Sequence, residues 1–224
     1  MKKLVMAIML LSAVATTVYA QYYPTTKWPY VYENFEKGTI FLEGNKKNSD
    51  MLLNIHLMGN VLQYVGQDGR IYQKGDNDVM RVEIGDDAYI FSNHRMVRII
   101  ANEGTNLLVK MLLADFMVLQ QGTGAYGASL NSSAATDLSS LDLGGLNSPE
   151  HGKLLQEKTN GRTIPIKEQY FFIINGQQIE ASKKGVEKYV GAARADELKQ
   201  FLKTSKTKWK NEDSLLQLLK FLGN

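Results

Sequence analysis

The stretch VMRVEIGDDAYIFSNHRMVRIIANEG, Val79–Gly104, decides the fold class. Its first six residues alternate: Met80, Val82 and Ile84 fall on one side, Arg81 and Glu83 on the other. A period of two marks a half-buried strand, because successive side chains of a strand point to opposite faces. Gly85-Asp86-Asp87 turns the chain into the apolar run Ala88–Phe91. Met96–Ala101 follows, and Glu103-Gly104 is the next turn signal. Short apolar runs at this spacing predict an antiparallel meander.

The same rhythm extends toward the N-terminus. Thr39–Leu42 precedes Glu43-Gly44-Asn45, and Leu52–Leu57 precedes Met58-Gly59-Asn60. Val61–Val65 runs into the turn Gln67-Asp68-Gly69. Ahead of these lies an aromatic segment holding Tyr22, Tyr23, Trp28, Tyr30, Tyr32 and Phe35.

Beyond Gly104, residues 106–120 support two readings. Leu107, Leu108, Met111, Leu112, Val118 and Leu119 fit a helical stripe. The β-branched and aromatic content near Phe116–Val118 fits two strands bent at Ala114-Asp115, and periodicity alone does not separate the two. Gly122–Gly152 is dominated by Gly, Ser, Ala, Thr and Asn, too long and polar for an ordinary connection, and is predicted to be a flexible insertion. Gln169–Ile174, Asn175-Gly176 and Gln177–Glu180 spell a hairpin with a two-residue turn.

The last stretch reads as helical. Leu198, Phe201 and Leu202 share a face, as do Leu215, Leu218, Leu219 and Leu222. Asn211 is placed to cap the final helix, Glu212 and Asp213 sit in its first turn where the helix dipole favours negative charge, and Gly223 ends it. Trp209 is expected to anchor the linker. The predicted fold is therefore α+β: a twisted antiparallel meander of about eight or nine short strands, with C-terminal helices on its open side.

The chain has 224 residues, 44% hydrophobic and 22% charged, which suits one packed domain after a leader. Residues 1–20 have the pattern of a secretory signal: Lys2 and Lys3, an apolar run from Leu4 to Ala15, and small residues before a cleavage site between Ala20 and Gln21. The residue after that site is Gln, so the expectation is a periplasmic or secreted protein that is not a lipoprotein and has no transmembrane segment in the mature chain. The divisions expected are 21–121 meander, 122–152 insertion, 153–182 final hairpin and 183–224 helical C-terminus.

Charge is unevenly spread. Residues 21–182 carry 14 basic and 18 acidic residues, net −4; residues 183–224 carry 10 and 5, net +5. A basic tail suits nucleic acid or an anionic surface. In a secreted protein this charge pattern reads as the solvated face of docked helices, so no nucleic-acid partner is expected.

The chemistry-bearing motifs are sparse. With no cysteine there are no disulfides, thiolate nucleophiles or cysteine metal sites. Gly122-Thr123-Gly124-Ala125-Tyr126-Gly127 spells G-x-G-x-x-G, but no amphipathic helix opens after it, so no cofactor is assigned. Ser205-Lys206-Thr207-Lys208 matches S-x-x-K without the accompanying S-D-N and K-T-G elements. His56, His94 and His151 have no ligand spacing, and His56 is expected on the polar face of its strand. Asp76-Asn77-Asp78 and Asp86-Asp87 read as acidic turns rather than a calcium loop. No metal and no catalytic residue is assigned. The best binding feature is the aromatic segment: Trp28, Tyr30 and Tyr32 suit stacking on sugars or peptide side chains, or equally the packing of a sheet end.

The order of elements resembles an uncharacterised group of secreted proteins from Bacteroidetes-type bacteria. The residues that carry it are Trp28–Tyr32, Lys37–Leu42, the pair Leu52–Leu57 and Val61–Val65, the hairpin at Tyr170-Phe171-Phe172-Ile173, Lys183-Lys184, and the helical pair Leu198–Thr204 and Asp213–Phe221 around Lys206–Lys210. The resemblance implies a bend at Ala114-Asp115 and no activity. The expected function is non-catalytic: interaction with another envelope protein, or support of an assembly. A glycan- or peptide-binding module built on Trp28, Tyr30 and Tyr32 is the alternative, and a hydrolase with an acidic pair is the third reading.

Overall fold

The computed structural model describes residues 23–25, 27–116, 158, 159, 161 and 163–223. Eleven strands make one antiparallel sheet. They are β1 (Tyr23–Thr25), β2 (Glu36–Leu42), β3 (Lys46–His56), β4 (Val61–Val65), β5 (Ile71–Lys74), β6 (Val79–Ile84), β7 (Asp87–Ser92), β8 (Arg95–Glu103), β9 (Asn106–Ala114), β10 (Ile164–Ile174) and β11 (Gln177–Glu180). Three α-helices follow: α1 (Lys183–Val190), α2 (Ala195–Ser205) and α3 (Glu212–Gly223). The strand order is β1-β10-β9-β8-β7-β6-β2-β3-β4-β5, and β11 shares the β1 side of β10.

The Val79–Gly104 stretch forms β6, β7 and β8, with Val82 and Ile84 buried and Arg81 paired to Glu83 at 3.0 Å on the other face. Met80, expected beside Val82 and Ile84, is instead exposed, where the β2–β6 register shifts between Arg81 and Val79. Asn175 and Gly176 take positive φ values of 51° and 77°, the left-handed pair that a tight hairpin turn requires. Gly38 is forced by crowding: a Cβ there would run into the Glu83 carbonyl oxygen and Leu53 Cδ1, on the strands either side of β2.

The sheet is longer and rolls further than the sequence suggests. Asn106–Ala114 is one nine-residue strand, not a helix, because its first part, Asn106–Lys110, pairs with β8 on one side and Leu107–Ala114 pairs with β10 on the other. The arm expected after Ala114-Asp115 and the insertion at Gly122–Gly152 lie outside the described residues, as do the leader and His151. Two strands were not foreseen. β5 is only four residues, and β1 sets Pro24 directly opposite Pro165, residues whose missing amides argue against a strand. The roll is fixed where the Met96 amide donates to the Asn60 carbonyl oxygen at 2.8 Å, joining the start of β8 to the β3–β4 turn.

The inner face divides into three packed regions. Ile40, Leu53, Ile55, Leu62, Val82, Ile84, Tyr89 and Met96 fill the rolled part. Trp28, Leu57, Phe116, Ile164 and Ile166 close one end. Over β8–β10 the cover is α3, whose Leu215, Leu218, Leu219 and Leu222 meet Leu108, Phe172 and Ile174. Asn211 caps α3 as expected: its Oδ1 accepts from the Ser214 amide at 2.8 Å. At the far end Arg194 Nη2 donates to the Phe221 carbonyl oxygen at 3.2 Å, and Phe201 stacks on Phe221 at 4.6 Å.

Candidate functional site

One row of direct cross-strand partners runs over the inner face: Ile40, Val82, Tyr89, Arg98, Lys110 and Tyr170, from β2 through β6, β7, β8 and β9 to β10. It begins apolar and becomes charged. Arg98 and Lys110 are directly opposite, and like charges facing each other across strands destabilise a sheet unless they are neutralised. Three carboxylates do so. Asp87 Oδ1 is 2.9 Å from Arg98 Nη2, and Lys110 Nζ is 3.0 Å from both Glu168 Oε1 and Glu212 Oε1. Tyr170 donates its hydroxyl to Glu168 at 2.9 Å and to Glu212 at 3.0 Å. At the other end Tyr32 donates to Asp87 at 2.7 Å and lies 2.6 Å from the Tyr89 hydroxyl.

The elements explain the placement. Asp87 and Tyr89 are two apart on β7, and Glu168 and Tyr170 two apart on β10, so each pair shares a face. Glu212 comes from the first turn of α3, so the Lys110 and Tyr170 contacts tie that helix to the sheet beside its apolar stripe. A cavity of about 120 Å³ lies among Asp87, Arg98, Lys110 and Glu168, with Val31, Ile55, Met96 and Leu112 as apolar walls. Arg98 Nε is buried there without an acceptor among the described residues.

The electrostatics push the row away from neutral titration. Burial opposes the charge on Lys110, but its hydrogen bonds to Glu168 and Glu212 outweigh that and raise its pKa. Burial also opposes the charge on Glu212, yet the bonds from Lys110 and Tyr170 win and hold its carboxyl below the usual value of 4.5. Tyr89 is pushed up to about 12, chiefly by burial. Tyr32 and Tyr170 are raised further, by burial first and then by hydrogen bonds to Tyr89 and Asp87 for Tyr32 and to Glu168 and Glu212 for Tyr170. A general acid or base works best with a pKa near the operating pH, and these shifts run the opposite way. Glu168 and Glu212 do converge, but on a shared ammonium group. Among the described residues no group of three or more His, Asp or Glu side chains gathers as a metal site.

The aromatic segment splits. Trp28 is fully buried and Tyr30 is 9% exposed, so neither presents a ring face for stacking. Tyr30 packs edge-on against Phe35 at 5.2 Å and His56 at 5.1 Å, and burial raises its pKa to about 12. Tyr32 alone of the three enters the polar row. The segment also corrects the placement of His56, which is 4% exposed rather than on a solvated face. Residues 30 and 31 pair along the end of β3, so that side of the strand is covered too: Asn54 Nδ2 donates to the Tyr32 and Asn34 carbonyl oxygens, both at 3.0 Å. His94 is exposed and bonded to Asp76. Ser205 bonds Thr207 at the end of α2.

The sequence places Glu212 only as a first-turn acid of the last helix, and gives neither its role in this row nor its partners. The signal was Lys110 itself, one charge inside Leu107-Leu108-Val109-Lys110-Met111-Leu112-Leu113. A cation within an apolar run needs a carboxylate from elsewhere in the fold.

A second concavity lies on the C-terminal helices, a groove of about 890 Å³ between α1 and α2. Its base is Leu198, 1% exposed, and Leu202, with Trp209 as a wall. No protein-family model matches the chain, and neither do any curated protein or solved structure.

Proposed function

We propose that the mature protein is a periplasmic or secreted, non-catalytic interaction module that binds another envelope macromolecule through the α1–α2 groove. The observation that carries this reading is the groove itself: a large open concavity on helices whose undersides are packed into the core. The inner face of the sheet is filled by side chains, and its charged row is paired internally, which suits a scaffold better than an acid–base centre. The leader pattern supports the compartment, as does the resemblance to secreted Bacteroidetes-type proteins. Among the described residues no helix is long and apolar enough to cross a membrane.

Site-specific photocross-linking in the producing bacterium tests it. A photoreactive residue at Leu202 should trap one discrete partner, and the same group at Met80, 62% exposed on β6, should not. Equal labelling from both positions, or none from either, contradicts the reading.

A further inference from the structure

The groove between α1 and α2 has a chemistry that narrows its occupant. Lys183, Lys188, Lys199 and Lys203 stand exposed on its rim against Glu187 and Asp196, so the rim has cations in excess. Lys183 and Glu187 are 3.8 Å apart and exposed, a pairing worth little in water. Lys188, Lys199 and Lys203 make no ion pair among the described residues. Below the rim the accessible apolar surface is Leu202 and the indole of Trp209, both half-buried over the enclosed Leu198.

Rim and floor make different demands. A bare polyanion satisfies the ammonium groups and leaves the exposed parts of Leu202 and Trp209 in water. A neutral apolar helix covers the floor and gives the lysines nothing. Side chains that bury against Leu202 and Trp209, flanked by carboxylates, satisfy both, with the charges setting specificity and association rate. Resting on the interaction reading above, we infer that the groove takes a peptide segment of a partner protein that presents leucine-type side chains flanked by Asp or Glu.

Trp209 supplies the readout. The chain has two tryptophans, and Trp28 is fully enclosed in another cluster, so a change in emission on titration reports the groove. The full mature chain is titrated with a short synthetic Leu/Glu peptide, with the same peptide carrying Gln for Glu, and with polygalacturonate. The Leu/Glu peptide should give a saturable change, weakened by about tenfold or more by the Gln replacement and by Lys199→Glu/Lys203→Glu. The charge-reversed variant should instead take a Leu/Lys peptide, which a misfolded chain would not. No response to Leu/Glu peptide at millimolar concentration, equal binding of polygalacturonate, or undiminished Leu/Glu binding by the reversed variant each overturns the inference. Cross-linking from Leu202 without Leu/Glu binding would discard this partner class and leave the interaction reading standing; loss of both would discard the two together.

Discussion

Glu212 shows how one side chain takes two roles. In sequence it is a first-turn acid favoured by the helix dipole; in the fold it also neutralises Lys110 and accepts from Tyr170. Its pKa is lowered on folding, so the stability it adds is present above the usual value of 4.5 and is lost as pH falls through the lower folded value. The raised pKa of Lys110 works in the other direction: its contribution is complete below the ordinary 10.5 and is lost as pH rises through the folded value. Between those limits the clamp is whole. Thermal melts should therefore show Glu212→Gln lowering Tm at pH 7 and flattening the fall in Tm between pH 5 and pH 3. A parallel shift at every pH would show that the carboxylate charge is not what holds the contact. Lys110 within its apolar run signals that a carboxylate must come from elsewhere, but nothing local tells which one. Arg98 and Lys110 are opposite only because β8 and β9 pair in that register, and Glu168 and Glu212 arrive from distant parts of the chain.

At the scale of elements, the strands with clear alternation and the turns with obligatory residues were legible. β6 follows from period two, β7 and β8 from short apolar runs between turn signals, and the β10–β11 hairpin from Asn175-Gly176. β1 was hidden by proline, and β9 by a run of leucines that fits either period until its neighbours are known. His56 was misplaced because alternation assumes one wet face, and the Tyr30 ring packs edge-on against the imidazole near the end of β3. The last two helices, α2 and α3, were legible from their stripes, whereas no stripe marked α1. Leu218 has no exposed surface and lies in the cluster that joins α3 to Leu108 and Phe172. Leu218→Ala should cost about 2–5 kcal/mol by denaturant titration, the range for truncating a packed leucine. A loss below about 0.5 kcal/mol, the level of an ordinary surface substitution, would mean that α3 is not docked.

The whole molecule joins an acidic sheet body to a basic helical end, net −4 and net +5 by sequence. That asymmetry alone suits a detachable cationic tail as well as an integral layer. The structure gives the layer: the apolar stripe of α3 meets β8–β10, α1 packs on β11 and α2, and the Lys110–Glu212–Tyr170 contacts tie the start of α3 to the sheet. The proposed groove depends on this, because α1 and α2 enclose it only while they are held against the body. Native-state hydrogen exchange tests that claim most directly. The amides of Leu215–Leu222 should open only with those of β9 and β10, at the free energy of global unfolding. Exchange of α3 at much lower free energy, with the sheet still protected, would make the helices a separable tail and contradict the account.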